Sequence, residues 1–268
     1  KAILNTGIAI PQFGLGVYQV HSGGETLNAV NHALKAGYRH FDTAAFYGNE
    51  DEVGEAIIKS NVARDEIWVT TKLWNDAHGY DHTIKAFQES LKKLNVKVID
   101  LYLIHYPVKD LRHESWRALE TLYDEGKCRA IGVSNYTTRH ITELLGTCRI
   151  KPAVNQVEFH PYLYQKELLD FCRSQNIALE AYSPLTKGRR LDDQKLNALA
   201  KNYSKSPAQI LIRWALQHDV IVIPKSSKPK HIEENADVFD FEISPNDMES
   251  LNLFHENLRV AWDPSLAP

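Results

Sequence analysis

The sequence predicts a (β/α)8 TIM barrel with an N-terminal β-hairpin and extra helices near the C-terminus. Three observations lead to this fold class: strand-like and helix-like segments alternate, eight such units can be counted, and no linker, charge block or repeat interrupts them. Alternation of this kind indicates a parallel sheet, and eight units indicate that the sheet closes into a barrel. We therefore expect one barrel domain that covers residues 1–268.

The strands are predicted from short apolar runs that are rich in β-branched residues. A hairpin comes first, because Asn5, Thr6 and Gly7 form a turn signal. The eight barrel strands follow at residues 13–18, 40–42, 67–72, 99–105, 130–134, 154–158, 178–182 and 220–223. Between them, apolar residues recur at three- and four-residue spacing, which predicts helices such as 25–36, 81–94, 115–125 and 207–217.

The segment before the eighth strand departs from simple alternation. Two helical patterns, at residues 191–201 and 207–217, separate the seventh and eighth strands, with the helix-start signal Ser206-Pro207 between them. A further helix is expected at residues 244–254, followed by an irregular tail. These are the extra helices of the predicted fold.

The composition is that of an ordinary globular protein, with 43% hydrophobic and 24% charged residues. Because the net charge is −3, we expect neither nucleic acid nor an anionic membrane surface as a partner. No stretch approaches the roughly 18 apolar residues of a membrane span. The three cysteines lack CxxC spacing, which is typical of a reducing compartment, so we expect a cytoplasmic protein. We also expect a monomer, since no extended apolar surface pattern stands out.

Four residues carry the predicted chemistry. Asp42, Lys72 and His105 each close a predicted strand, and Tyr47 lies on the loop beyond the second strand. Barrel enzymes build their active sites at the carboxyl ends of the strands. Each residue has a structural alternative, because an Asp can cap a helix, a Lys can extend to solvent, and a Tyr or His can simply be buried. The placement of all four at one end of the barrel favours catalysis.

Tyrosine is a poor acid at neutral pH, since its ordinary pKa is about 10. An ammonium about 4 Å from the phenolate would stabilise it by roughly 4 kcal/mol at an effective dielectric constant near 20. We therefore expect Lys72 to lower the pKa of Tyr47, and Asp42 to hold Lys72 in place. His105 is expected to donate a hydrogen bond to a substrate oxygen. The set is typical of a device that protonates a developing alkoxide.

The strings RHFDTA, WVTTKLW and IDLYLIHYP, with the order of the eight units, resemble the aldo-keto reductase family over essentially the whole chain. Members of this family have a catalytic tetrad that Asp42, Tyr47, Lys72 and His105 match. The resemblance implies an NAD(P)H-dependent reductase of aldehydes and ketones. In that reaction a nicotinamide delivers hydride to the carbonyl carbon while the tyrosine protonates the oxygen.

The same resemblance implies a nicotinamide site on the later strands. In GVSN and VNQVEFHP, Ser134, Asn135 and Gln156 match residues that hydrogen-bond the carboxamide. In LEAYSPL, Tyr182 matches the ring that stacks on the nicotinamide, and Ser183 and Leu185 are further expected cofactor contacts.

The adenosine end of the cofactor is expected after the eighth strand, just before a helix start. The residues concerned are Lys225, Ser226, Ser227 and Lys228. Helix N–H groups and ammonium groups form an anion site there, which suits the 2′-phosphate of NADPH. His231 stands where many relatives carry an arginine, and Asn235 matches an adenine contact. Since histidine lacks the bidentate fork of arginine, NADH stays open as an alternative to NADPH.

Aromatic side chains are expected around the reacting carbonyl. Tyr18, Trp74 and Tyr106 lie just past the ends of the first, third and fourth strands and, with His105, form the predicted substrate site. The loop TKGRRLDD and the tail around Trp262 are short, which resembles the microbial branch that reduces glyoxals and diketo-sugar acids. Small aldehydes, glyoxals and keto-sugars are the expected substrates.

Two other functions stay open. One is a metal-assisted hydrolase, for which His clusters and paired carboxylates are sparse. His78 and His82 are four residues apart but are interpreted as solvated loop residues, so no metal site is expected. The other is a regulatory or binding module that retains the cofactor with little turnover.

Overall fold

The computed structural model describes residues 1–268 and contains ten strands and ten α-helices. The strands are β1 Ala2–Ile3, β2 Ala9–Ile10, β3 Leu15–Gly16, β4 His40–Asp42, β5 Trp68–Leu73, β6 Ile99–Ile104, β7 Cys128–Ser134, β8 Val154–Glu158, β9 Ala178–Tyr182 and β10 Ile221–Val222. The helices are α1 Glu25–Lys35, α2 Glu50–Lys59, α3 Tyr80–Leu94, α4 Arg112–Asp124, α5 Thr138–Leu145, α6 Lys166–Ser174, α7 Gln194–Asn202, α8 Pro207–Gln217, α9 Pro229–Ala236 and α10 Pro245–Asn252. None of these helices is long and apolar enough to span a membrane.

Strands β3 to β10 form one parallel sheet in which each strand pairs with its neighbour in the chain. The sheet closes on itself, because parallel bridges join Phe13 to Val222 and Gly16 to Lys225. A β-carbon on Gly16 would lie 2.9 Å from the carbonyl oxygen of Ile223, so the seam requires glycine there. The predicted (β/α)8 barrel is confirmed, although the first strand is shorter than the predicted residues 13–18.

The predicted hairpin is confirmed as the antiparallel pair β1 and β2. Gly7 occupies the turn with a φ of 78° and donates its N–H to the carbonyl of Leu4 at 2.9 Å. Leu4 and Ile10 belong to the same buried cluster as the interior strand residues Leu101 and Val154. The hairpin therefore covers the amino-terminal end of the barrel, opposite the end where active sites form.

Two helices lie between β9 and β10, as predicted. The second, α8, begins at Pro207 with a capping box in which the hydroxyl of Ser206 accepts the N–H of Gln209. The first, α7, begins at Gln194 rather than at residue 191, because the Asp193 carboxylate accepts the N–H groups of Lys195 and Leu196. Helix α10 begins after Ser244 and confirms the additional C-terminal helix.

A cluster of 54 buried apolar residues packs the outer helices against the sheet. Inside the barrel, by contrast, polar side chains collect where the strands end. Asp42, Ser134, Glu158 and Tyr182 are the last residues of their strands, and His105 directly follows β6. The barrel thus brings chemically active side chains from distant parts of the chain to one rim.

Candidate active site

A cavity of about 400 Å³ opens at the carboxyl ends of the barrel strands. Twelve of the residues predicted from the sequence line it together, from the ends of seven strands and from helix α9. They are Tyr18, Asp42, Tyr47, His105, Ser134, Asn135, Gln156, Tyr182, Ser183, Leu185, Lys225 and His231. The volume is within the range of small-molecule sites, about 300 to 1,000 Å³.

The remaining predicted residues do not line the cavity wall. Lys72 lies fully buried directly beneath it. Trp74 and Tyr106 do not line the cavity but contact Trp262, which does. Their ring centroids lie 5.7 and 6.3 Å, respectively, from that of Trp262. The other four lie outside the cavity, past the end of β10 or on α9. They are Ser226, Ser227, Lys228 and Asn235.

Lys72 joins the carboxylate to the phenol. Its ammonium donates to Asp42 Oδ1 at 2.7 Å, to the Thr43 carbonyl at 2.8 Å and to the Tyr47 hydroxyl at 3.2 Å. Thr43 directly follows β4, so the end of this strand and the next residue supply two of these three acceptors. The side chains of Lys72 and Asp42 are 0% and 2% exposed, so water screens this pair very little. The geometry matches the arrangement predicted for the first three members of the tetrad.

The expected acidity of Tyr47 is wrong for this structure. Burial, and then the negative charge of Asp42, raise the pKa of Tyr47 well above its usual value. The physical reasons are that burial disfavours the charged phenolate and that Asp42, 2.7 Å from the ammonium, cancels much of its field at the phenol. The hydroxyl therefore stays protonated through neutral pH, as a proton donor must before it reacts.

His105 faces the cavity as a neutral imidazole. Its ring makes no hydrogen bond within the protein, and Nδ1 is buried without a partner. Burial, and then the positive charge of Lys72, lower the pKa of His105 well below its usual value. A neutral ring with an unpartnered Nδ1 is best assigned its proton on Nε2. His105 can then donate one hydrogen bond to an oxygen in the cavity.

Hydrogen bonds fix the opposite wall of the cavity. Tyr182 donates its hydroxyl to Asn135 Oδ1 at 2.7 Å, and Asn135 donates to the His105 carbonyl at 2.9 Å. Ser134 donates to the Gln156 carbonyl at 2.9 Å. The backbone of Asn135 has a φ of 63°, a left-handed conformation that asparagine tolerates better than most residues. The Tyr182 ring is thus held in a set orientation at the cavity wall.

The tail residue Trp262 is part of the cavity wall, which the sequence did not predict. Its ring centroid lies 5.6 Å from that of His105 and 6.4 Å from that of Tyr18. Phe46, which was also missed, stacks on Trp74 with centroids 3.8 Å apart. Two features of the sequence could have indicated these residues: Phe46 is an aromatic residue next to Tyr47, and Trp262 is a tryptophan in an irregular tail. Together these rings close the substrate side of the cavity.

Glu158 holds this tail in place and was also missed. Its buried carboxylate accepts the N–H groups of Val260 at 2.7 Å and Ala261 at 3.0 Å, directly before Trp262. The other missed carboxylate is Glu180, whose side chain accepts a hydrogen bond from Gln156 inside the barrel. Each is the single charged residue of a short strand, VNQVE or ALEAY. That pattern was the signal, because buried carboxylates need specific partners.

The described residues contain no group of three or more His, Cys, Asp or Glu side chains arranged to hold a metal ion. His78 is 3% exposed, and its Nδ1 lies 2.9 Å from the hydroxyl of Ser115. The interpretation of His78 as a solvated residue is therefore wrong, whereas His82 is exposed. The two histidines do not share a ligand set.

A barrel with an aspartate, a tyrosine, a lysine and a histidine in this arrangement at the carboxyl ends of its strands is typical of one class of oxidoreductase. The model of the Aldo/keto reductase family matches residues 13–255, and the chain belongs to that family. It is accordingly an NAD(P)H-dependent oxidoreductase, and its family supports the reduction of carbonyl compounds.

Characterised and solved relatives cover nearly the whole chain. A glyoxal reductase of Bacillus subtilis is 51% identical over 261 residues, which are 97% of this chain and 95% of that protein. A 9,11-endoperoxide prostaglandin H2 reductase of Trypanosoma cruzi is 47% identical, over 97% of this chain and 93% of its own length. The crystal structure of a Bombyx mori aldo-keto reductase in complex with NADP has a TM-score of 0.91 and 40% identity, and covers 97% of this chain and 94% of that one.

Proposed function

We propose that this chain reduces the carbonyl groups of small aldehydes, glyoxals and keto-sugars to alcohols with NADPH, and that Tyr47 is the general acid. The observation that carries the proposal is the single ammonium of Lys72, which bridges Asp42 and the Tyr47 hydroxyl at 2.7 and 3.2 Å. Tyr47 and His105 line the same cavity, so one carbonyl oxygen can reach both.

When bound, the reduced nicotinamide supplies hydride to the carbonyl carbon. As negative charge develops on the carbonyl oxygen, Tyr47 transfers its hydroxyl proton to that oxygen. The pKa of Tyr47 is raised, but an alkoxide is a far stronger base than a phenolate, so the proton still moves in the required direction. Lys72 stabilises the phenolate that results, and the neutral His105 orients the substrate oxygen by a hydrogen bond.

The residues of the cavity suit a nicotinamide cofactor. The Nε2 of Gln156 donates to two carboxyl groups, and its Oε1 has no partner in the protein and is free to accept from a carboxamide. The Tyr182 ring, fixed by Asn135, offers a face for stacking. Lys225 and His231 line the cavity, and Lys225 offers positive charge toward a phosphate. Ser134, Asn135, Ser183 and Leu185 complete the proposed contacts.

The preference for NADPH rests on the region that follows β10. Lys225 and Lys228 are both exposed and lie next to the first turn of α9. Ser226, Ser227 and Asn235 are proposed to contact the adenosine part, with His231 near its 2′-phosphate. The complex of the Bombyx mori relative with NADP supports this assignment.

The substrate side favours small carbonyl compounds. Phe46, Trp74 and Trp262 lie against the His105 ring. Tyr18 and Tyr106 pack in turn against Trp262, so aromatic faces bound this side of the cavity. The B. subtilis relative named a glyoxal reductase supports dicarbonyl substrates. We also infer that residues 1–268 act as one domain and as a cytoplasmic monomer, and the three free cysteines support a reducing compartment.

The test measures the rate at which the protein oxidises the reduced cofactor in the presence of each member of a panel of aldehydes, glyoxals and keto-sugars. The oxidation is followed by the absorbance of the reduced cofactor. We expect turnover with dicarbonyls and a lower KM for NADPH than for NADH. Tight binding of NADPH without turnover on any carbonyl would instead favour a binding module. Equal KM values for the two cofactors would contradict the proposed role of the 2′-phosphate contacts.

A further inference from the structure

The side-chain amide of Gln156 is held between two carboxyl groups from opposite parts of the barrel. Its Nε2 donates to Asp42 Oδ2 at 2.7 Å and to Glu180 Oε1 at 2.5 Å. Asp42 ends β4, whereas Glu180 lies in the middle of β9, and all three side chains are buried. An amide nitrogen has two hydrogens, so both are used by these two carboxyl groups.

We propose that Glu180 is a positioning residue of the nicotinamide site, which locks the Gln156 amide so that its Oε1 faces the cavity. With only Asp42 as an acceptor, one amide hydrogen would lack a partner, and the amide could turn about its last bond. The second acceptor removes that freedom, because both hydrogens of Nε2 are then held and a fully rotated amide would bring its oxygen against the Asp42 carboxylate. The cavity therefore meets a fixed acceptor, which selects a ligand with an N–H donor such as a primary carboxamide. The inference rests on the proposed function.

Glu180 performs this role as a neutral carboxylic acid. The charged and titratable groups that face it are Asp42 and His40 on β4 and Lys72 on β5. Lys72 is already paired with Asp42 at 2.7 Å. His40 Nε2 lies 3.9 Å from Glu180 Oε2, but burial lowers the pKa of His40 to about 3, so this contact is not an ion pair. The Oε2 atom has no hydrogen-bond partner at all.

These contacts leave the proton on Glu180 rather than on Asp42. Burial, and then the charge of Asp42, raise the pKa of Glu180 to about 8. One ammonium and one carboxylate then balance each other beneath the cavity. Ionisation of Glu180 at higher pH would add a second negative charge near the Lys72–Tyr47 pair and make Tyr47 a weaker acid. The alkaline limit of activity is thereby linked to Glu180.

The first test compares Glu180→Gln, which keeps a hydrogen-bond acceptor, with Glu180→Leu, which does not. Cofactor affinity is measured by quenching of tryptophan fluorescence, with NADPH and with 2′-phospho-ADP-ribose, which lacks the nicotinamide. We expect Glu180→Leu to weaken NADPH binding about three- to tenfold, the effect of one lost hydrogen bond. The affinity of Glu180→Leu for 2′-phospho-ADP-ribose should equal that of the wild type. The affinity of Glu180→Gln for each of the two ligands should also equal that of the wild type.

An unchanged NADPH affinity in Glu180→Leu would overturn the proposal, and so would an equal loss for both ligands, which indicates general disruption. If wild-type protein fails to bind NADPH, the proposed function itself fails. The two failures are therefore distinguishable by the wild-type measurement alone.

The second test uses only Glu180→Gln and does not require the leucine variant to fold. The folded state holds the Glu180 proton more tightly than the unfolded chain, whose glutamate has an ordinary pKa of 4.5. Wild-type stability from this group therefore falls as pH rises from about 4.5 to about 8. Because glutamine does not titrate, the Tm of Glu180→Gln minus that of the wild type should increase over this range and level off above it. The alkaline limb of its activity profile should also move to higher pH. A Tm difference that does not vary with pH, or an unmoved alkaline limb, would overturn the proposal.

Discussion

The ammonium of Lys72 lies 3.2 Å from the hydroxyl of Tyr47 and 2.7 Å from the carboxylate of Asp42. The same cation is thus both neutralised by the carboxylate and presented to the phenol. Because the Asp42 carboxylate cancels much of the ammonium charge, the net field at Tyr47 is small while the phenol keeps its proton. In the proposed reaction the ammonium stabilises the phenolate that Tyr47 becomes, since the two groups lie within hydrogen-bond distance.

Replacement of Lys72 by methionine should abolish catalysis and destabilise the fold. Removal of one partner from a buried ion pair leaves an uncompensated charge on Asp42 and costs about 3 to 5 kcal/mol. The double variant Asp42→Asn/Lys72→Met removes both charges, so we expect it to recover much of the free energy of unfolding while turnover stays at least about a hundredfold low. Urea unfolding and steady-state kinetics measure the two effects. Recovery of turnover in the double variant would show that Lys72 acts only on stability.

Loss of the Glu158 contact that holds the tail should affect substrate binding and leave cofactor binding unchanged. Glu158→Gln loses one of the carboxylate oxygens that accept the N–H groups of Val260 and Ala261. We expect the KM for the carbonyl substrate to rise about three- to tenfold because Trp262 is less well held. The affinity for NADPH should not change.

Glu120→Gln is the matched control for Glu158→Gln. The Glu120 carboxylate accepts the N–H groups of Arg149 and Ile150 at 2.7 and 2.8 Å, away from the cavity. Both N–H groups bond to Oε1, so Glu120→Gln weakens these bonds only by removing the charge, and it should lower Tm slightly without altering KM. A KM increase of the same size in both variants would mean that tail position is not the cause.

The cofactor preference should respond to His231. Histidine lacks the permanent charge and the two parallel donors that arginine offers. We expect His231→Arg to lower the KM for NADPH about two- to fivefold, since an exposed charge pair contributes about 1 kcal/mol at most. The KM for NADH should stay the same, because NADH lacks the 2′-phosphate. Equal changes for both cofactors would place His231 away from that phosphate.

Packing between α2 and α3 makes a prediction that is independent of catalysis. A β-carbon on Gly54 would lie 2.1 Å from the carbonyl oxygen of Leu94. That oxygen belongs to the backbone, so it cannot move aside as a side chain could. Gly54→Ala should therefore destabilise the fold by about 1 to 3 kcal/mol through overpacking. Gly146, with a φ of −70° and a nearest contact of 3.4 Å, is the matched control, and its alanine variant should leave stability nearly unchanged. Equal urea midpoints for the two variants would contradict this account of the helix contact.

Much of the fold and of the site could be predicted from the sequence, because local signals coincide with tertiary roles. The Ser206-Pro207 start of α8, the position of Asp42 at the end of β4 and that of Lys72 one residue before the end of β5 are visible without coordinates to within a residue. Glu158 and Glu180 were missed because their partners come from distant segments, which no local pattern reveals. The direction of the Tyr47 pKa was wrong for the same reason, since burial and charge cancellation depend on the assembled barrel.

The most direct measurement is the turnover of Tyr47→Phe beside its affinity for NADPH. Tyr80→Phe is the matched control, because its hydroxyl bonds only to Thr121 on an outer helix. We predict that Tyr47→Phe loses about a hundred- to ten-thousandfold in kcat, the usual contribution of a general acid, while NADPH affinity and Tm stay close to those of Tyr80→Phe. Turnover near the wild-type rate in Tyr47→Phe would contradict the assignment of the proton donor.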